Sequence, residues 1–187
     1  MADLYQRGTT LALLHEFTKT DSLRRHAYAV EAAMKAAAER TGNDPEYWSA
    51  VGLLHDFDYE KYPEAPDHPL KGADILRDRG YPEEFVRTIL SHAAYTGVPR
   101  ENDCAKWLFA VDELCGFCMA CAMVQPDKKI AQVKVKSVKK KLKKKDFAAK
   151  VNRDEISEGA SDLGLDLDDI ITHVLEALVP AGEDLGL

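Results

Sequence analysis

The chain has 187 residues, of which 45% are hydrophobic, and this predicts one globular domain, or one domain with an appendage. It contains no apolar run of about 18 residues or more, so no membrane span is expected. Its start does not resemble a secretory signal, and its four cysteines, crowded between Cys104 and Cys121, fit a reducing compartment; cytoplasmic localisation is therefore expected.

The net charge of −7 is unevenly distributed. Residues 128–145 hold ten lysines and no acid, whereas the rest of the chain has 15 basic and 32 acidic residues, a net of −17. Such a run usually forms a solvated basic surface. Binding of nucleic acid is not expected, because aromatic residues are not interleaved with the lysines.

Apolar residues recur at helical spacing along nearly the whole chain, which predicts an all-α fold. A first helix is predicted over Leu11–Lys19, and a second begins at Thr20 or Asp21 and ends at Gly42. His26 lies on the apolar stripe of this second helix. A lone histidine in such a place is most often a core residue, so its meaning depends on partners elsewhere.

The third predicted helix begins at Asp44 and Pro45, and its apolar residues end in the adjacent pair His55 and Asp56. Imidazole with carboxylate suits divalent transition metals, although such a pair alone is more often a cap or a surface feature. A loop is predicted over Phe57–Asp67, where two prolines interrupt the chain.

Two further helices are predicted to carry histidines towards the same region. Asp67 caps a fourth helix with His68 in its first turn, and a fifth helix starts at Pro82 and carries His92 inward near its end. A sixth helix over Asn102–Met123 places Asp112 on an apolar side, where a carboxylate needs a partner or a metal.

The spacing of Cys115, Cys118 and Cys121 is similar to part of an iron–sulfur motif, but the segment is continuously helical, which favours small buried side chains. Pro126 marks the boundary between a metal-binding helical domain over 1–125 and a helical extension over 126–187 packed on it. In the extension we predict a basic helix over 133–145, a helix over 146–162, and a last amphipathic helix over Asp166–Val179, whose His173 has no ligand role.

The order of these candidate residues resembles the HD-domain superfamily of metal-dependent phosphohydrolases over residues 20–120, and the segment HDFDYEKYPEAPDHPLKGADILRDRGYPEEFVRTILSH resembles its HDIG-type subgroup. The resemblance implies an HD-domain helical bundle with a C-terminal helical extension. It also implies two metal sites, the first held by His26, His55, Asp56 and Asp112, and the second by His68, His92 and a bridging Asp56.

The sequence departs from the HDIG pattern after the His-Asp pair. Phe57 and Asp58 stand where that subgroup has Ile-Gly, and Tyr59 replaces a lysine that contacts phosphate in relatives. Asp58 is interpreted as a general base or as a residue that orients a ligand. Four basic residues are candidates to bind substrate in place of the missing lysine: Arg24, Arg25, Lys61 and Lys71.

The resemblance implies hydrolysis of a phosphoester in a nucleotide or another small phosphorylated metabolite, with Asp56 and Asp58 as catalytic residues. The expected cofactor is a pair of divalent metal ions, which can be iron, manganese, zinc, nickel, cobalt or magnesium. Such ions activate water at neutral pH. Two alternatives stay open: an HD-fold di-iron oxygenase such as myo-inositol oxygenase, which shares the ligand set, and a regulatory module that binds metal and nucleotide without turnover. No membrane partner is expected, and homo-oligomerisation stays open.

Overall fold

The computed structural model describes residues 4–187, so the first three residues of the predicted N-terminal domain lie outside it. The described residues form ten α-helices, two short 3-10 turns and no strand, which confirms the all-α prediction. The helices are α1 (Arg7–Phe17), α2 (Asp21–Thr41), α3 (Pro45–Leu54), α4 (Asp67–Asp78), α5 (Glu83–Leu90), α6 (Asp103–Met123), α7 (Val135–Leu142), α8 (Arg153–Leu163), α9 (Leu167–Leu178) and α10 (Gly182–Leu185).

Several predicted helix limits were wrong, and the basic helix predicted over 133–145 spans only Val135–Leu142. Helix α1 begins at Arg7, before the predicted Leu11, and α5 ends at Leu90, so that His92 lies in the turn after it. The predicted helix over 146–162 begins only at Arg153, because Asn152 caps it there and accepts hydrogen bonds from the N–H groups of Asp154 and Glu155. The residues before that cap form turns.

The core is built around α2, which packs against α3 on one side and α6 on another. The contact between α2 and α3 is close at Gly52, where a Cβ atom would lie 2.8 Å from the carbonyl oxygen of Val30. Because glycine has no side chain, the two backbones approach at this point, and they bring the end of α3 alongside α2.

Capping residues fix where the two central site-bearing helices start. The Asp44 side chain accepts a hydrogen bond from the N–H of Glu46 at 2.9 Å, and Pro45 occupies the first position of α3. Asn102 caps α6 by accepting from the N–H of Ala105 at 2.8 Å. With both starts fixed, the positions of His55 and Asp112 follow from helix length.

The C-terminal part of the chain contacts the same core. Helix α8 packs on α6, α9 packs on both α2 and α6, and α10 packs on α2. The turns between α7 and α8 are held by Arg153, whose guanidinium donates to several backbone carbonyls, among them that of Leu142 at 3.1 Å. Within residues 4–187 no helix is both long and apolar enough to span a bilayer.

Candidate metal centre

A first cluster joins three helices of the core. His26 comes from α2, His55 from the C-terminal end of α3, and Asp112 from the middle of α6. The Oδ1 atom of Asp112 lies 2.9 Å from Nε2 of His26 and 3.3 Å from Nε2 of His55. The Nε2 atoms of His26 and His55 therefore both approach one oxygen of Asp112, and a single cation placed there is within reach of all three side chains.

A second cluster is centred on Asp56, in the turn that follows α3. Its Oδ1 atom lies 3.1 Å from Nε2 of His68, at the start of α4, and 3.2 Å from Nε2 of His92, after α5. Helices α4 and α5 pack on each other, which brings the start of one and the end of the other to the same place.

The two clusters are continuous. The other carboxylate oxygen of Asp56, Oδ2, lies 3.6 Å from Nε2 of His55 in the first cluster. The ring of His55 also lies 5.2 Å from that of His26 and 5.4 Å from that of His92, measured between centroids. Asp56 thus stands between the two groups, and its side chain is 25% exposed while that of His55 is fully buried.

Hydrogen bonds at Nδ1 fix the orientation of three of the four rings. His55 donates to the carbonyl of Gly52 at 2.7 Å, and His92 donates to the carbonyl of Ile89 at 2.6 Å. His68 directs Nδ1 to Oδ1 of Asp58 at 2.9 Å. A proton on Nδ1 leaves the Nε2 lone pair available, and all three Nε2 atoms point at the carboxylates of the clusters.

One buried atom of the centre makes no hydrogen bond of good geometry to any of residues 4–187. This atom is His55 Nε2, whose nearest carboxylate oxygen, Oδ1 of Asp112, lies 3.3 Å away. Buried polar atoms are normally satisfied, so an orphaned imidazole nitrogen beside two carboxylates is a position where a cation fits.

The electrostatics of the centre reflect this crowding. Burial disfavours the charged form of His55, but the carboxylates of Asp56 and Asp112 outweigh it and raise the pKa of His55 to about 10. His68 is likewise desolvated, yet hydrogen bonds to Asp56 and Asp58 raise its pKa to about 9. Burial opposes ionisation of Asp56 too, but the neighbouring histidines hold its pKa well below the usual value. Positive charge beside these carboxylates, from protons or from a metal, therefore stabilises the centre.

Asp58 lies behind His68 and away from solvent, with 1% of its surface exposed. Its Oδ2 atom accepts a hydrogen bond from the N–H of Gly72 at 2.9 Å, and its Oδ1 atom contacts His68. A Cβ atom on Gly72 would lie 2.7 Å from the carboxylate carbon of Asp58. The glycine on α4 therefore leaves the space that the buried carboxylate occupies.

The four basic residues predicted to bind substrate are placed differently from one another. Arg24 donates from Nε to the carbonyl of Thr18 at 2.8 Å, and the guanidinium of Arg25 lies against Gly186 near the C-terminus. The ammonium of Lys61 lies 5.0 Å from the centroid of the Phe17 ring. Lys71 is exposed on α4, the helix that begins near His68.

Sequence reasoning did not single out three residues that belong to these surroundings. Burial and the nearby Asp112 raise the pKa of Glu113 to about 7, and the same two causes raise that of Glu155 on α8. Tyr95 donates its hydroxyl proton to the carbonyl of His68 at 2.6 Å. Glu155 comes from the distant helix α8, so no local sequence signal could have connected it with the clusters, whereas Glu113 directly follows Asp112 and Tyr95 follows His92 by three positions.

The remaining histidines and the cysteines have other contacts. His15 Nε2 lies 2.7 Å from the Tyr28 hydroxyl, and His173 donates to the carbonyl of Ala33 at 3.0 Å. The four cysteines are free thiols buried along α6. Over residues 4–187, the groups of side chains arranged to hold a metal are the two described above.

Fold and site together define an all-α protein with paired histidine–aspartate clusters at the ends of its central helices. Residues 23–114 match the model of the HD domain family, and this segment contains all six residues of the two clusters. The chain therefore belongs to the HD-domain superfamily, most of whose members are metal-dependent hydrolases. The match does not identify the HDIG-type subgroup, which stays a prediction. No curated protein and no solved structure is significantly similar to the chain.

Proposed function

We propose that the protein is a metal-dependent phosphohydrolase that cleaves a phosphoester in a small phosphorylated metabolite. The observation that carries the proposal is the convergence of four imidazole Nε2 atoms on two carboxylates, with His55 Nε2 buried and unsatisfied. The family match supports hydrolysis as the class of reaction.

The donor set fits divalent metal. Four neutral imidazoles and two carboxylates give two negative charges, which would neutralise part of the charge of two ions, and imidazole favours transition metals over calcium. In the proposed arrangement His26, His55, Asp56 and Asp112 hold one ion, while Asp56, His68 and His92 hold the other. When bound, such ions lower the pKa of water from about 15.7 towards 7 and so supply hydroxide.

Asp56 is proposed to bridge the ions, since its two oxygens face different clusters and its side chain is partly open to solvent. For Asp58, the role of orienting residue is better supported than that of general base. Both of its oxygens are already engaged, and at 1% exposure it has no open path to substrate. We propose that it holds the imidazole of His68 with Nε2 towards the second ion.

Of the basic residues, Lys71 is the best candidate to contact a substrate phosphate. It is exposed and has neither a hydrogen bond nor an ion pair within the described part of the chain. Arg24, Arg25 and Lys61 are already held against other groups.

The decisive experiment removes His55 or Asp56. His55→Ala and Asp56→Ala should lose metal and phosphatase activity together, with helical content retained. Metal analysis of the purified protein and phosphate release from a panel of phosphoesters measure the two effects. His15→Ala, a histidine outside both clusters, is the matched control and should keep both.

Full metal occupancy in Asp56→Ala would contradict the assignment of that residue. Removal of His68 or His92 should instead cut metal stoichiometry to about half, because only one ion of a two-metal site loses its ligand. Oxygen consumption by the iron-loaded protein without phosphate release would replace hydrolysis with oxygenase chemistry. Tight nucleotide binding with neither reaction would indicate the regulatory module.

A further inference from the structure

A cleft between α2 and α9 has no part in the proposed metal chemistry. This acidic cleft has a volume of about 1110 Å³, and residues of α1, α3 and α10 complete its walls. None of the residues that line it belongs to the two metal clusters. Pockets for small molecules typically have about 300–1,000 Å³. The acidic cleft is therefore wide enough to receive part of a macromolecule.

Acidic residues predominate in the cleft. Seven acidic and three basic residues line it, a net charge of −4, and burial lowers the pKa of His173, which therefore adds no positive charge at neutral pH. Two of the basic residues are engaged elsewhere. Arg7 pairs with Glu31 at 2.7 Å, and the guanidinium of Arg40 lies 5.9 Å from the centroid of the Trp107 ring. The cleft therefore attracts cationic groups.

Four exposed acidic residues of the cleft are unpaired. Glu39 comes from α2, Glu46 from α3, and Asp169 and Glu176 from α9. Their side chains make neither an ion pair nor a hydrogen bond within residues 4–187. Since they line the same cleft from three helices, their charges add, and a cationic partner seated there is stabilised by all of them.

The cationic surface of this chain is the lysine-rich segment, residues 128–145, which holds ten lysines and no acid. Its helix α7 buries Val138 against the core. Helical spacing places three exposed lysines, Lys136, Lys140 and Lys143, on the side opposite Val138. None of these three has an ion pair within residues 4–187. A row of cationic side chains therefore points away from the core.

The basic and the acidic surface meet at α9. Lys139 of α7 pairs with Asp168 at 2.5 Å, and the next residue, Asp169, lines the acidic cleft. Each copy of the chain therefore carries the two charged surfaces side by side. Such an arrangement is complementary to itself when a second copy is turned by a half rotation, as in a two-fold dimer.

We infer that the acidic cleft is the docking site for the lysine-rich segment of a second copy of this chain, in a two-fold dimer. A second copy neutralises both surfaces at once, whereas an unrelated cationic partner would neutralise only the cleft. The inference does not depend on the proposed function, because neither surface contains a residue of the metal clusters.

The first test measures the association of the full-length protein by sedimentation velocity over a range of protein concentrations. At low salt we expect an equilibrium between monomer and dimer. At about 1 M salt, where the Debye length falls to about 3 Å, the protein should be mostly monomeric, since exposed ion pairs are screened.

Charge reversal identifies the two surfaces. One variant reverses three acidic residues of the cleft: Glu39→Lys, Glu46→Lys and Glu176→Lys. The other reverses three lysines of the segment: Lys136→Glu, Lys140→Glu and Lys143→Glu. Each variant alone should raise the dissociation constant of the dimer by about tenfold or more, because exposed pairs are individually weak but several become repulsive at both contacts.

Complementary variants provide the decisive arm. In an equimolar mixture of the two variants, each basic surface faces an acidic one at both contacts, so a dimer of one copy of each should form. All six substitutions in one chain should likewise restore the dimer of identical copies. Three exposed acidic residues outside the cleft give a control with the same change of charge: Glu64→Lys, Asp78→Lys and Glu84→Lys. Circular dichroism of each variant verifies that the helices are intact.

A wild-type protein that stays monomeric at low salt and high concentration overturns the inference, even if its cleft binds a small polycation such as spermine. Assemblies that keep growing with concentration would overturn the two-fold arrangement, since a closed dimer does not grow. Failure of both the mixture and the six-substitution chain to associate, with folded single variants that are monomeric, would show that the two surfaces do not meet. An equal loss of association in the control variant would reduce the effect to net charge.

Discussion

Asp58 shows how a single buried residue can set the geometry of the centre. Its carboxylate joins two partners that lie on opposite sides of it, the Nδ1 atom of His68 and the backbone N–H of Gly72. Both partners donate, so both carboxylate oxygens are needed. Replacement of one oxygen by an amide nitrogen turns one of these contacts into a donor facing a donor.

We therefore expect Asp58→Asn to weaken the proposed second metal site selectively. Loss of a carboxylate that orients a ligating histidine typically costs about 10- to 100-fold in metal affinity. Titration of the metal-free protein with manganese or cobalt, followed by calorimetry, would show one weakened and one unaltered site. Asp78→Asn, an exposed position at the end of α4, is the matched control. Equal affinity of both sites in Asp58→Asn would exclude this role.

At the scale of the helices, the sequence of α4 is constrained by the Asp58 carboxylate that packs against it. Gly72 lies in the first half of α4, where alanine would normally be the better helix former by roughly 1 kcal/mol. Here a Cβ atom would lie 2.7 to 2.9 Å from three atoms of the Asp58 carboxylate, which is buried and held by hydrogen bonds with His68 and Gly72. The steric cost therefore outweighs the gain in helix propensity.

Gly72→Ala is accordingly expected to lower the free energy of unfolding by about 1–3 kcal/mol, as overpacking of a buried site does. Urea denaturation followed by circular dichroism measures the change. Gly8→Ala in α1 is the opposite case, since nothing lies within 4 Å of the Cβ position. That variant should be stabilised by about 0.4–1 kcal/mol. The same sign of change in both variants would contradict the argument.

The helices and much of the site could be predicted from sequence because their signals are local. The capping residue Asp44, the apolar run that ends in His55 and Asp56, and the polar Asp112 on an apolar face are each visible within a few residues. The resemblance then linked these local signals into one ligand order, and the six residues do converge in space. Their roles as metal ligands remain predictions.

What the sequence could not show depends on contacts between distant segments. The contact of Asp58 with Gly72 joins the turn after α3 to α4, and the bond from Tyr95 to the carbonyl of His68 joins the 3-10 turn after α5 to the start of α4. The turns after Lys145 are held by hydrogen bonds that Arg153 donates to backbone carbonyls. Such hydrogen bonds leave no periodic pattern in the sequence. The helix predicted from helix propensity over 146–162 therefore started too early, since α8 begins only at Arg153.

For the whole molecule, the paired charges in the centre make stability depend on pH in the absence of metal. His55 has an ordinary pKa of 6.5, and in the fold it is raised to about 10. Its protonation therefore stabilises the fold fully below about pH 6.5, and that contribution is lost as the pH rises towards 10. His68, raised to about 9, acts in the same direction.

The metal-free protein should thus lose stability between about pH 6.5 and 10, whereas stabilisation by added metal should grow, because protons compete with the ion for Nε2. Urea unfolding at several pH values, with chelator or with manganese, measures both trends. His55→Gln removes one titrating group and should flatten the decline of the metal-free protein. A rise in stability of the metal-free wild type over this range would contradict the pKa directions.

The lysine-rich segment, residues 128–145, gives the molecule a second electrostatic feature, separate from the centre. Helix α7 holds part of it and packs on α6 and α9 through the buried Val138. Lys139 pairs with Asp168 at 2.5 Å, while most of the other lysines are exposed. Neither cluster contains a residue of this segment. A positive field on an otherwise acidic chain can attract anionic ligands, and salt screens it over about 8 Å at physiological ionic strength.

We predict that the segment tunes association and takes no part in the chemistry. Protonated lysines have no lone pair to offer a metal. Metal content and turnover number should therefore stay nearly unchanged when six of them are replaced by glutamine: Lys139, Lys140, Lys141, Lys143, Lys144 and Lys145. Apparent affinity for an anionic substrate or partner should fall at low salt and match that of the wild type at high salt.

Arginine at the same positions keeps the charge and should keep the affinity. Loss of turnover at saturating substrate in a folded, metal-loaded glutamine variant would instead make the segment part of the catalytic apparatus.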